Sequence, residues 1–232
     1  MKRKGHIIEP YADLSELNLE YANLYKLNLE GVNFRGANLE YANMKGANLK
    51  GANLEYANLH GVNLHGADLT KANLSGANIH HAKLDEANFH WAHFLQASLG
   101  DTNLKGAKLE YANFNGADIV SVNFSGANLY KSQLKRVNLD FVNFKEANLV
   151  RANFTNSNLD GTDFTNAILE YTNFKGAYFY GANFKGANIK GAKFKGSDLS
   201  KARLEEVINL EKAKIEEADL TGENFEFNLL GL

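Results

Sequence analysis

Leucine, phenylalanine, isoleucine or methionine stands at every fifth position from Leu14 to Leu204, 39 positions without a gap or a slip. Two residues before each of them the chain is usually small, alanine in 26 of the 39, and Asn or Asp lies between the two in 30. A period of five suits neither common element. On an α-helix, five residues advance the side chain about 140° past a full turn, which scatters the leucines over every face. On a straight strand, an odd step sends successive leucines to opposite faces. Within one unit, however, Ala and Leu are two apart, so a short extended piece points both the same way. If the chain turns through a right angle before the next unit, every Ala and Leu points inward. Four such turns close a coil of twenty residues, and coils stack at about 4.8 Å.

Counting in twenties gives the interior. Phe34, Phe94, Phe114, Phe154, Phe174 and Phe194 fall on one side, and Phe124, Phe144, Phe164 and Phe184 on the opposite one. The sides between carry mostly Leu and Ile, such as Leu39, Leu59, Ile79 and Leu99. Large residues on facing walls with slimmer ones between them fill a narrow core without voids. Leu17 and Leu27 break the small-residue rule in the first coil, where an open end leaves room.

Units such as Ala37-Asn38-Leu39, Ala52-Asn53-Leu54 and Ala72-Asn73-Leu74 resemble those of the pentapeptide repeat proteins, and the resemblance covers residues 12–204. It implies an all-β, right-handed quadrilateral β-solenoid of about ten coils, roughly 45–50 Å long. It also implies a family of binding proteins, some of which protect DNA gyrase, a type II topoisomerase, from quinolones by imitating DNA in shape, width and charge. Those proteins are strongly acidic and the best-known ones carry projecting loops. This chain has a net charge of −2 and no loop within 12–204.

Open strand edges at the ends of a solenoid invite polymerisation unless they are covered. Residues 1–11 do not fit the repeat and read as an N-terminal cap, in which Lys2, Arg3, Lys4 and Pro10 discourage pairing. After Leu204 the apolar positions slip by one, to Leu210, Ile215, Leu220, Phe225 and Leu230. Residues 205–232 therefore read as a register-shifted C-terminal coil, with either a bulge near Glu205–Asn209 or a short helix over Glu205–Lys214. Phe225, Phe227, Leu229 and Leu232 then serve as a lid or as a homodimer contact, an end through which members of the resembled family often associate.

Function has to reside at the outward positions, which form columns along the rod. One column holds Glu20, Glu40, Asp140 and Asp160, with His60, His80 and Tyr180 among them and no Lys or Arg. Two other sides carry Arg35, Lys135, Lys175 and Lys195, and Lys45, Lys105, Lys145 and Lys185. A corner column reads Lys71, Trp91, Tyr111, Lys131, Arg151, Tyr171 in successive coils. Aromatic and cationic residues one coil apart can form cation–π contacts, and an exposed Trp is a common interface anchor. This column is the candidate surface for a protein partner; the plainer reading is that aromatic corners cover backbone. Six of the seven histidines fall between His60 and His93. His60 and His80 share a column and His81 lies round the corner, an arrangement that could hold zinc or nickel only with a third ligand that is not evident.

A core filled by Leu, Phe and Ala leaves no sheltered pocket, and no nucleophile triad, phosphate loop or metalloprotease motif appears. The chain reads as a non-enzymatic scaffold or binding rod with no cofactor and no direct nucleic-acid or membrane contact. DNA mimicry at gyrase and a purely structural module are the alternatives. Absent cysteines, and an N-terminus without a long apolar run, make the cytoplasm the expected location.

Overall fold

The computed structural model describes residues 2–3 and 6–219. It is the right-handed quadrilateral β-solenoid that the period predicts. Parallel bridges join residue i to residue i+20 without interruption from Asp13↔Asn33 to Asn188↔Ile208. We number the sides by their first inward residues: side one begins with Leu14, side two with Leu19, side three with Leu24 and side four with Leu29.

One five-residue unit accounts for all of its backbone N–H groups. The Asn38 N–H donates back to Leu17 O at 2.9 Å, Leu39 donates forward to Asn58 O at 2.8 Å, and Tyr41 donates forward to His60 O at 2.9 Å. The Ala42 N–H closes the corner onto Leu39 O at 3.0 Å. The fifth, on Glu40, donates to the Asn38 side chain at 3.1 Å. That is why asparagine recurs: its Oδ1 accepts the N–H two residues on. Its Nδ2 is then free to reach the asparagine one coil below, as Asn58 Nδ2 reaches Asn38 Oδ1 at 3.2 Å.

Each residue that follows an outward side-chain position at a corner, from Tyr11 to Gly196, has φ near +60°. Glycine adopts this left-handed conformation without strain, whereas other residues meet a steric penalty.

The inward residues from Leu14 to Leu204 are buried and form one continuous core. Rings stack along a side, with Phe94 and Phe114 at 4.4 Å between centroids and Phe124 and Phe144 at 5.1 Å. Rings from opposite sides interlock edge-to-face, as Phe114 does with Phe124 at 6.0 Å. Phe89 and Phe179, on the leucine sides, join this stack through Phe94 and Phe174. Leu17 and Leu27 pack partly buried against the core's open end. Where Thr or Ser replaces the inward alanine, the hydroxyl of Thr102, Ser157, Thr162, Thr172 and Ser197 donates to a carbonyl, as Thr172 Oγ1 does to Leu149 O at 2.8 Å, whereas the buried Ser132 hydroxyl finds no partner among the described residues.

At the start, β1 (Lys2–Arg3) pairs antiparallel with β2 (His6–Ile7), and Ile8 enters the core. At the other end the bridge step lengthens to 21 residues, in Lys193↔Lys214 and Asp198↔Asp219. The additional residue is absorbed by a 3₁₀ turn at Leu210–Lys212, entered through Asn209 at φ 61°. A single turn thus does the work expected of a bulge at Glu205–Asn209 or of a helix over 205–214, because one extra residue needs only one tightened turn to restore inward pointing. Phe225, Phe227, Leu229 and Leu232 lie outside the described residues. Among the described residues no helix is long and apolar enough to cross a membrane.

Candidate functional site

The corner between sides four and one brings Lys71, Trp91, Tyr111, Lys131, Arg151 and Tyr171 into one column, all with φ between 56° and 61°. No other corner runs so long without glycine. Corner side chains lean toward the following coil. Trp91 therefore stacks on Tyr111, with centroids at 4.3 Å and planes within 6°. The Lys131 ammonium lies 5.5 Å from the centre of the Tyr111 ring and 5.1 Å from that of Tyr130. The Arg151 guanidinium lies 5.9 Å from the Tyr171 ring. His90 sets its ring edgewise against both Trp91 and Tyr111. Trp91 and Tyr171 remain 48% and 46% exposed, so these contacts leave ring faces open to solvent. Among the described residues Lys71 makes no ring contact of this kind.

The column of Glu20, Glu40, Asp140 and Asp160 serves the fold in part. Asn58 Nδ2 donates to Glu40 at 3.2 Å, and Asn158 Nδ2 to Asp140 at 2.7 Å. Tyr178 replaces the asparagine that would accept the Tyr180 N–H, and Asp160 Oδ1 takes that hydrogen bond at 2.9 Å from one coil below. Burial, and then the charge of Asp160, hold the Asp140 carboxyl above its ordinary range. Beside these two acids lies an open groove of about 400 Å³ walled by Phe141 and Tyr180, each 70% exposed. With Tyr178, 60% exposed, they form an aromatic patch that a column-by-column reading passed over. Its signal was three aromatics at outward positions on one side and its corner, spread over three successive coils.

His60 meets His81 edge-on at 5.2 Å and Tyr41 at 5.5 Å, while His80 leans over Gly100. His81 Nδ1 lies 3.9 Å from Asp101. Among the described residues no three His, Asp or Glu side chains are arranged to hold a metal ion. The remaining histidine contacts also reach acids of the next coil, His90 to Glu110 at 3.6 Å and His65 to Asp85.

The family described as Pentapeptide repeats matches the chain in overlapping stretches that run from residue 12 to residue 222. Among solved structures, HetL, a pentapeptide repeat protein involved in heterocyst differentiation regulation from the cyanobacterium Nostoc sp. strain PCC 7120, is similar at 28% identity. The similarity covers 91% of this chain and 90% of HetL, with a TM-score of 0.73. A trypsin-treated variant of QnrB1, a plasmid-mediated fluoroquinolone resistance protein, shares the fold at 18% identity and a TM-score of 0.51, over 93% of this chain and 97% of its own. Comparison with proteins of curated function returns no match.

Proposed function

Because the chain belongs to the pentapeptide repeat family, we propose that it is a non-enzymatic cytoplasmic rod that binds a protein partner through the Lys71–Tyr171 corner. The observation that carries this reading is the unbroken run of six non-glycine residues in the left-handed conformation, in a column where Gly31, Gly51 and Gly191 occupy the same position elsewhere. Each such residue costs about 1–2 kcal/mol that glycine would not. The run sets a rigid row of rings and cations facing water, which loses little entropy on binding. HetL is named for a regulatory role, and a regulatory rod acts by contact. The test places a photo-crosslinking residue at Trp91 in an extract of the source cells. A discrete protein adduct is expected there and not from the same residue at Glu146, on another corner. Equal labelling from both positions would refute the reading.

A second reading rests on side two, where Glu20, Glu40, Asp101, Asp118, Asp140 and Asp160 occur with no Lys or Arg before Lys201. Such a side supports DNA mimicry at gyrase or another type II topoisomerase. A supercoiling assay with and without a quinolone tests it: inhibition or protection by the purified protein supports mimicry, and no effect removes it.

A further inference from the structure

Side one differs from the rest of the rod in its charges. The stretches that form this side and its two corners, 71–76 and each stretch twenty residues on up to 191–196, contain no Asp or Glu. They contain eight Lys or Arg residues. Lys131, Lys135, Arg136, Arg151 and Lys175 form no ion pair among the described residues, and the ion pairs of this side lie only at its ends, Arg35 with Glu55 and Lys195 with Glu217. Elsewhere Lys50, Lys145 and Lys185 reach Asp68, Asp163 and Glu206.

The same side holds a groove of about 640 Å³ that runs along successive coils and is lined by Leu95 and Gln96, then Asn115 and Gly116, then Lys135 and Arg136, and ends at the coil of Thr155. His93 replaces the asparagine that would accept the Leu95 N–H. Neither that N–H nor the Gln96 N–H has an acceptor among the described residues. Two residues whose backbone N–H groups lack an acceptor among the described residues therefore line the same groove as two unpaired cations. Donors and cations gathered in this way favour an anionic, hydrogen-bond-accepting group.

We infer that side one, between residues 71 and 196, receives an acidic segment of a partner protein, with a carboxylate seated in the groove between Gln96 and Arg136. The inference rests on the reading of this chain as a binding rod and supplies the partner's chemistry. A side consists of about three extended residues, so it is roughly 10 Å across. Asp118, Asp140 and Asp160 lie on the adjoining side. A nucleic-acid duplex, wider than side one, would press its second strand against those carboxylates, whereas a single acidic polypeptide fits between the corners.

Trp91 is the only tryptophan and stands on the edge of this side, so its fluorescence reports occupancy. Titration with an oligoglutamate peptide is expected to change Trp91 emission in a salt-sensitive way. The double substitution Lys135→Glu with Arg136→Glu is expected to weaken this binding about tenfold or more. Lys83→Glu with Lys105→Glu, an equal change of charge on side three, should leave it intact, with thermal melts confirming that both variants fold. No response to oligoglutamate, or equal weakening by both variants, overturns the inference. Tighter binding of a single-stranded oligonucleotide of equal charge at the same residues also overturns it. A Trp91 crosslink without oligoglutamate binding would leave the partner surface standing and remove only its acidic chemistry.

Discussion

The ring of Phe141 lies across the bare backbone of Gly161 one coil on, so that a methyl group on Gly161 would stand 2.6 Å from the ring's Cδ1. Gly126, at another corner with the same left-handed conformation, has nothing within 4 Å of that position. Gly161→Ala and Gly126→Ala therefore share the backbone penalty of about 1–2 kcal/mol. Only the first also displaces a ring. Gly161→Ala should be the more destabilising by about 1 kcal/mol in denaturant melts, and adding Phe141→Ala should bring the two together.

Phe114 is fully buried and stacked on Phe94. Phe114→Ala should cost about 3–5 kcal/mol, since a narrow core cannot collapse into the void without breaking the bridges around it. A loss below about 1 kcal/mol, measured by the same melts, would contradict inward-facing rings.

Asn38 accepts hydrogen bonds from the Glu40 N–H and from Asn58 Nδ2, at 3.1 and 3.2 Å. Asn38→Ala leaves the Glu40 N–H to find water on a half-buried side, while Asn58 Nδ2 keeps only the Glu40 carboxylate. A loss of about 1–3 kcal/mol is expected by calorimetry, and Asn38→Asp, which keeps an acceptor oxygen, should lose less.

Two carboxylates should respond to pH with opposite signs. Asp140 titrates above its ordinary range, so its charge weakens the fold at neutral pH. Asp140→Asn should raise the melting temperature there, and the gain should vanish once the pH falls below the ordinary carboxylate range. Burial pushes Asp163 upward, but the Thr165 hydroxyl and N–H and the nearby Lys145 outweigh it, and the group titrates low. Its contribution is present above the ordinary range and lost as the pH falls through its lowered value. Asp163→Asn should therefore lower the melting temperature at neutral pH and converge with the parent protein in acid.

Trp91→Ala should leave the fold intact, because the ring is half exposed and its main contact is one stacked tyrosine. A loss near 1 kcal/mol is expected in melts, together with loss of side-one binding. A much larger loss would make Trp91 a structural residue.

The inward register was legible because Leu14 to Leu204 keep step through the whole chain, and a period of five admits only a coil with right-angled corners. The phase slip after Leu204 was legible for the same reason. The work of Asn38 and its equivalents was not, since the letter A-N-L pattern does not say which donor the amide serves. Nor were the strained corners: Gly36 and Gly46 signalled a special backbone, but Trp91 and Phe141 hold the same conformation with no glycine to mark it. At the candidate surface, reading single columns found Lys71 to Tyr171. It missed that Lys135, Arg136 and Lys175 continue the same acid-free side, because that property belongs to a surface and emerges only when adjoining columns are laid side by side.

The twenty-residue step has a consequence for how such surfaces change. Insertion of one five-residue unit would leave every inward residue inward and every bridge satisfiable, yet would turn all that follows by a quarter revolution. Lys135 and Lys175 would then continue the column of Glu20 and Glu40. A single small duplication could thus exchange a basic surface for an acidic one without altering one residue of the core.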